Sequence, residues 1–228
     1  FLDTGLVADG QGFIVFELLE GQTLRSLIGA GLPIDSIWVV HLIAQVARGL
    51  DAVHAKGIVH RDIHPANIFL ARVRPGLARV VIIDFGIAKL VDSIVGLSSE
   101  RVDLGTLTYR APEQEHDNRA VSRRTDVYAL GVTTFELFSG LLPWGRGAPT
   151  DVLERKRLDP TPDLRRICPA LSEQQAEVIR WAMAGDDMKR CESASVFADA
   201  FAAASKVTTA TPAYLDVLLT LAGSPPDP

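Results

Sequence analysis

A polar stretch of eight residues, H-R-D-I-H-P-A-N from His60 to Asn67, separates two apolar segments. Before it, apolar residues recur at helical spacing from Asp35 to Lys56, with Asp35 as the predicted N-cap and Gly57 just past the end. After it, N-I-F-L and R-V-V-I-I-D predict two strands joined by a turn at R-P-G. The fold must therefore place this polar loop between a helix and a β-ribbon.

The remaining pattern predicts strands first and helices later. Two strand-like runs in residues 1–21 meet at Asp9-Gly10, which is a strong hairpin signal. The stretch from Thr125 to Ser139 is apolar on nearly all sides and predicts a buried helix that ends at Gly140. Two more helices and a long loop are predicted at residues 172–184, 193–204 and 91–117. The expected fold class is α+β, mainly α-helical.

Composition narrows the range of partners and compartments. The net charge is −5, and the sequence contains no dense lysine and arginine block, so we expect no nucleic-acid partner. Cys168 and Cys191 lack the spacing of a metal site and are expected to be free thiols in a reducing compartment. No uninterrupted apolar run approaches the ~18 residues of a membrane span. We therefore expect a cytoplasmic segment without membrane contact.

Three polar residues suggest a specific chemistry. Asp62 and Asn67 lie five residues apart in the polar loop, and Asp84 ends the second predicted strand of the ribbon. Phosphoryl transfer needs a carboxylate that orients the attacking hydroxyl, together with oxygen ligands for Mg²⁺. These three residues supply both requirements.

Three ordered motifs carry a family resemblance. The motifs are H-R-D-x-x-x-x-N at 60–67, D-F-G at 84–86 and A-P-E at 111–113. Together they resemble the signature of eukaryotic-like protein kinases, and the sequence around them is most similar to that of bacterial-type serine/threonine kinases. The resemblance covers residues 1 to about 205. It implies the end of a kinase small lobe and the hinge at 1–21, a kinase large lobe at 22–205, and a short helix and linker tail at 206–228.

The resemblance implies a role for each matching position. Asp62 would be the catalytic base, Asn67 and Asp84 would bind Mg²⁺, and Thr106 would hydrogen-bond Asp62 during selection of a substrate hydroxyl. The backbone of Glu17 and Leu19 would bind adenine, above a floor formed by Phe69, with Phe16 at the gatekeeper position. The implied cofactors are ATP and Mg²⁺, and the implied partner is a protein substrate.

Other matching residues would support the site. The implied contacts are a stack of His60 on Phe85, an ion pair of Glu113 with Arg190, and hydrogen bonds from the catalytic-loop backbone to Asp126. Arg61 would meet a phosphate or an acidic group on the loop after D-F-G, where Ser98 or Ser99 is the hypothesised phosphorylation switch.

Two departures from the family pattern matter. The glycine-rich loop and the strand lysine do not occur in these 228 residues, so the segment alone is expected to bind ATP poorly and to need the small lobe of a parent chain. His64 occupies the position where serine/threonine kinases usually carry a lysine that contacts the γ-phosphate. Histidine is shorter and only partly charged at neutral pH.

Three functions are compatible with His64. The chain could belong to an active protein kinase, to a pseudokinase that serves as a binding module, or to a small-molecule phosphotransferase like the aminoglycoside and choline kinases, which carry a similar H-x-D-x-H-P-x-N run. The G-T-x-x-Y-x-A-P-E segment from Gly105 to Glu113 resembles the platform for a protein substrate and favours the first. Retention of Asp62, Asn67 and Asp84 together disfavours the pseudokinase.

Overall fold

The computed structural model describes residues 2–7, 11–30, 36–74, 77–85, 107–116, 121–145, 147–158 and 161–207. Several predicted features lie outside these residues. They are the Asp9-Gly10 turn, the Asp35 cap, Ser98, Ser99, Thr106 and the tail beyond residue 207.

The N-terminal hairpin forms as predicted. Strands β1 (Asp3–Leu6) and β2 (Gly12–Val15) pair in antiparallel register, with Asp3 opposite Val15 and Leu6 opposite Gly12.

A second, three-stranded sheet follows the hairpin. Strands β4 (Ile68–Arg74) and β5 (Leu77–Ile82) form the predicted ribbon, and β3 (Gly21–Thr23) adds an antiparallel edge strand to β4. Gly21 has φ +143°, and a Cβ atom there would lie 2.0 Å from the Leu70 carbonyl oxygen. Only glycine allows this close approach of the two strands.

The helices occupy most of the rest of the described chain. Their bounds are α1 Leu24–Gly29, α2 Ser36–His54, α3 Glu113–His116, α4 Arg123–Ser139, α5 Pro149–Leu158, α6 Leu164–Ile167, α7 Glu173–Ala182 and α8 Ala194–Ser205, with 3₁₀ turns at Pro65–Asn67, Leu107–Tyr109 and Asp187–Lys189.

Helix α4 lies at the centre of the molecule. Ser122 and Thr125 form a capping box at its N-terminus, so the helix begins two residues before the predicted start. Gly140 ends it in the left-handed conformation with φ 66°, as predicted, because a residue without Cβ adopts that conformation without strain. Thirteen consecutive residues from Thr125 to Leu137 are buried, which confirms the prediction of a helix enclosed on nearly all sides.

Helix α2 packs against α4, α8 and β5. It is long and apolar enough to cross a bilayer by length and composition, but ten of its residues are buried against the rest of the protein. Its apolar surface is thus accounted for by the core. Gly57 follows the helix with φ +74°, at the predicted end.

Four short or polar helices and one turn differ from the prediction. Helices α1, α3, α5 and α6 were not expected, and the Leu107–Tyr109 turn with α3 replaces part of the loop predicted at 91–117. A helix of four to six residues is too short to show a hydrophobic period. Helix α5 has few apolar positions, so its sequence does not predict burial.

Candidate functional site

The polar loop brings Asp62 and Asn67 together. Asn67 is buried at the end of the Pro65–Asn67 turn, directly before β4. Its side-chain Nδ2 donates to the Asp62 carbonyl oxygen at 2.9 Å and lies 3.4 Å from Asp62 Oδ2. The two residues predicted from the motif are therefore held side by side, and Asn67 uses its amide nitrogen for both contacts.

The β-ribbon brings Asp84 to the same end of the sheet. The Ile83 N–H donates to the Asn67 carbonyl oxygen at 3.0 Å, which extends the β4–β5 ladder by one step beyond the Ile68–Ile82 pair. Asp84 follows with φ 56° and is exposed. Aspartate is one of the few residues that tolerate this left-handed conformation. Asp84, with its exposed carboxylate, thus directly follows the residue whose backbone pairs with Asn67.

Asp126, on α4, accepts hydrogen bonds from the backbone of the polar loop. Its Oδ1 accepts a hydrogen bond from the Arg61 N–H at 2.8 Å, and its Oδ2 accepts from the His60 N–H at 2.9 Å. His54 Nε2, at the end of α2, donates to the same Oδ2 at 2.7 Å. Arg61 adopts φ 69°, an unfavourable value that these bonds hold in place. The prediction for Asp126 is confirmed, whereas the contact with His54 was not anticipated.

His60 connects the loop to the D-F-G segment. Its ring contacts the Phe85 ring, as predicted, with centroids 4.6 Å apart, but the rings are tilted by 47° and are not stacked. Its Nδ1 accepts from the Asp62 N–H at 3.3 Å, so Nε2 donates to the Ile83 carbonyl at 3.1 Å. Burial lowers the pKa of His60, although the charge of Asp126 and the Ile83 hydrogen bond act in the opposite direction. The ring is a neutral structural group.

His64 has two distinct contacts through its two ring nitrogens. Nδ1 accepts a hydrogen bond from the Ala66 N–H at 3.3 Å and caps the Pro65–Asn67 turn. Nε2 lies 3.8 Å from Asp62 Oδ2, and the ring is 5.7 Å from the Tyr109 ring between centroids. Since Nδ1 is an acceptor, Nε2 is the ring nitrogen that can donate a hydrogen bond, on the side of the ring near Asp62.

Residues 107–111 lie beside this loop, and we call this segment the platform; all of them except the partly buried Arg110 are buried. Tyr109 donates its hydroxyl hydrogen to Glu136 Oε2 and accepts a hydrogen bond from Arg25. Arg25 Nη1 in turn lies 2.7 Å from Glu136 Oε1. Burial raises the pKa of Tyr109, and the adjacent carboxylate of Glu136 raises it further, so the phenol stays protonated. Sequence patterns did not indicate this triad.

Gln114 joins the platform to the polar loop. Its Nε2 donates to the Arg61 carbonyl at 2.9 Å, and its Oε1 accepts from the Ala111 N–H at 2.8 Å.

Glu113 and Arg190 form the predicted ion pair. Arg190 Nη1 and Nη2 each lie 2.7 Å from one Glu113 carboxylate oxygen, and the Arg190 side chain is fully buried. The guanidinium also donates to the carbonyls of Ala184, Gly185 and Arg124. Thr125 donates a further hydrogen bond to Glu113 at 2.8 Å. The pair joins α3, α4 and the segment before α8.

Of the predicted adenine-binding residues, Phe69 lies on a strand, and Glu17 and Leu19 lie in the segment between β2 and β3. Glu17 and Phe16 are exposed after β2, and both carboxylate oxygens of Glu17 lie 2.8 Å from Arg79 Nη2 on β5. Leu19 is partly buried just before β3. Phe69 is partly buried on β4, opposite Thr23 of β3. The sheet therefore brings the segment after β2 near Phe69, while the roles themselves stay predictions.

Comparison with known proteins identifies a matching family and similar proteins. The family model described as protein kinase domain matches residues 6–202. Serine/threonine-protein kinase PknJ of Mycobacterium tuberculosis is 38% identical over 202 residues, which cover 86% of this chain and 33% of that protein. Serine/threonine-protein kinase Pkn1 of Myxococcus xanthus is 37% identical over 188 residues, 82% of this chain and 27% of that protein. The chain thus spans a third or less of the length of these relatives.

The fold agrees with a solved structure. The crystal structure of the Mycobacterium tuberculosis PknI kinase domain is similar with a TM-score of 0.66 and 29% identity, over 89% of this chain and 70% of that one.

Proposed function

The chain belongs to the protein kinase family, and on that premise we propose that the protein transfers the γ-phosphate of MgATP to a serine or threonine hydroxyl of a protein substrate. The observation that carries the proposal is the contact of Asn67 with Asp62 at the end of the β-ribbon, where Asp84 directly follows the residue paired with Asn67. The relatives' names, serine/threonine-protein kinase, support a protein substrate.

The donor set fits a magnesium ion bound with a nucleotide. Asn67 makes its contacts through Nδ2, which leaves the oxygen of its amide as the ligand atom, and Asp84 presents an exposed carboxylate. In the described part of the chain, no three His, Cys, Asp or Glu side chains converge as a closed metal site. Mg²⁺ suits such an open pair, because it binds few protein groups together with substrate phosphates. When bound, it would neutralise charge on the phosphates.

The protein's own groups would then position the reacting hydroxyl. Asp62 accepts a hydrogen bond from the substrate hydroxyl and takes its proton as transfer proceeds. Asn67 holds the Asp62 segment, and Asp126 holds the backbone that precedes it. Thr106 is proposed to hydrogen-bond Asp62 beside the substrate.

Adenine is proposed to lie against the sheet. The backbone of Glu17 and Leu19 would form its hydrogen bonds, with Phe69 beneath the ring.

The proposal is tested with purified full-length protein, radiolabelled ATP, Mg²⁺ and myelin basic protein. We expect label on serine or threonine of the protein, and we expect EDTA to abolish the transfer because Asn67 and Asp84 would lose their ion. A full-length protein that binds MgATP but labels no protein would indicate a binding module. Label only on an added aminoglycoside or on choline would indicate a small-molecule phosphotransferase.

His64 is proposed to donate from Nε2 to the transferred phosphate. His64→Lys is expected to keep or raise turnover, because an ammonium group that is charged at neutral pH replaces a single ring N–H donor. His64→Ala is expected to lower kcat about tenfold, which is roughly the contribution of one hydrogen bond. His64→Asn serves as the matched control for structure. Asparagine can still cap the Pro65–Asn67 turn, but its side chain is too short to place a donor where His64 has Nε2. Equal kcat in wild type and all three variants would show that His64 is a bystander.

A further inference from the structure

Lys156, on α5, is a buried lysine outside the site described above. Its side chain is on the inner face of the helix, and the residue is only 8% exposed. Lysine is almost never buried without partners, because removing an ammonium group from water is costly unless other groups compensate.

The ammonium group of Lys156 is held by backbone oxygens and aromatic rings. Nζ donates to the carbonyls of Arg110 and Leu107, the latter at 3.5 Å. It also lies 5.2 Å from the Tyr128 ring centroid and 5.9 Å from that of Trp144, within the range of a cation–π interaction. Tyr128 contacts Arg190 as well, at 4.9 Å.

The two carbonyls belong to the platform of residues 107–111. The middle of that segment is fixed to α4 through Tyr109 and Glu136, and its C-terminal end is fixed to the polar loop through Ala111 and Gln114. Lys156 supplies an attachment from α5. Leu107 and Arg110 flank Tyr109, so the ammonium group determines the path of the backbone on both sides of that residue.

We propose that Lys156 is a positioning residue for the protein substrate. It acts through the carbonyls of Leu107 and Arg110, which keep the platform in the shape that receives the polypeptide around the phosphorylated hydroxyl. This inference rests on the proposed function and adds that affinity for protein substrate, in contrast to affinity for ATP, is controlled from α5. The hydrogen bond that joins Asn67 to Asp62 is separate from those that join Lys156 to the platform carbonyls.

The test compares wild-type full-length protein with Lys156→Met, which keeps the length of the side chain and removes its charge and donors. Myelin basic protein is the substrate. We expect KM for this protein to rise roughly ten- to hundredfold, the scale on which misplacement of a substrate acts. KM for ATP and the rate of ATP hydrolysis without protein substrate are expected to change less than threefold. Hydrogen exchange of the amides of residues 107–111 is expected to accelerate, while that of α2 stays unchanged.

Lys189→Met is the matched control, because Lys189 has a side chain 77% exposed and the same substitution there should leave both KM values unchanged. An unchanged KM for myelin basic protein in Lys156→Met overturns the inference, and so does a parallel loss of ATP hydrolysis and protein phosphorylation, which indicates a general structural role. If Lys156→Met does not yield folded protein, Lys156→Gln is judged by the same criteria. A wild-type protein without any transfer to protein contradicts the proposed function itself.

Discussion

Replacement of Asp62 by asparagine is expected to lower kcat for protein phosphorylation by about 10²- to 10⁴-fold, the usual contribution of a positioned general base. The amide has nearly the shape of the carboxylate but cannot take the proton of the substrate hydroxyl. Asn67 donates mainly to the Asp62 backbone carbonyl, which the substitution leaves in place. The fold should therefore persist. Single-turnover labelling of myelin basic protein by the full-length protein measures the effect.

Asp51→Asn provides the comparison. Asp51 is a partly buried carboxylate near the end of α2. Its Oδ2 accepts from the Ser195 N–H at 3.2 Å, and its Oδ1 lies 3.9 Å from His54 Nδ1. An asparagine can still accept this bond, so kcat should change less than about threefold if Asp62 acts through its position in the site. Comparable losses in both variants, or wild-type activity in Asp62→Asn, would contradict a catalytic role for Asp62.

Replacement of Arg190 by methionine is expected to reduce the free energy of unfolding by about 3–5 kcal/mol, because it leaves the largely buried carboxylate of Glu113 without its charged partner. Five hydrogen bonds of the guanidinium are lost with it, including those to three backbone carbonyls. Urea unfolding followed by tryptophan fluorescence measures the change. Since proteins of this size are stable by only about 5–15 kcal/mol, a loss of this magnitude is severe.

Arg166→Met is the matched control for Arg190→Met. The Arg166 side chain is 88% exposed and lies 3.7 Å from Asp163, so its pair contributes at most about 1 kcal/mol. A similar small loss in Arg190→Met would show that the buried pair is not a major source of stability.

The pair also makes stability depend on pH in a defined direction. Burial alone would raise the pKa of Glu113, but the hydrogen bonds and charge of Arg190 outweigh it, and the pKa lies below its ordinary value of 4.5. A carboxyl with a lowered pKa in the folded state stabilises the protein above its unfolded pKa. That contribution is lost as the pH falls through the folded pKa. The stability difference between wild type and Glu113→Gln should therefore shrink below about pH 4.5.

The site could be predicted from sequence wherever chemistry dictates both residue type and spacing. The contacts of Asp126 with the loop backbone and of Glu113 with Arg190 were implied by the resemblance, because each of these positions has a defined partner in its motif. The hydrogen bond of Asn67 to Asp62 was not predicted, although both residues were assigned to one site. The long helices α2 and α4 were predictable because their apolar patterns extend over several turns.

Features that depend on distant parts of the chain could not be predicted in this way. Strand β3 has only three residues and no alternation, and it forms because its backbone pairs with β4. The Arg25–Tyr109–Glu136 triad joins residues 84 and 111 positions apart, with no local pattern. Lys156 appears in the sequence as a surface charge, although carbonyls and rings bury it. The proposed roles of Glu17, Leu19, Phe69 and Thr106 stay predictions.

The packing of α2 on α8 has a consequence for synthesis of the protein on the ribosome. About 140 residues separate the end of α2 from the start of α8, so the apolar surface of α2 emerges long before the helix that covers it. At about 5–20 residues per second, this interval lasts roughly 7–28 s. During that time the part of α2 that packs on α8 stays uncovered, in a helix whose Trp38, Leu42 and Ile43 are fully buried in the finished protein. We therefore expect the nascent chain to be a substrate for ribosome-associated chaperones, even though the folded protein encloses this helix.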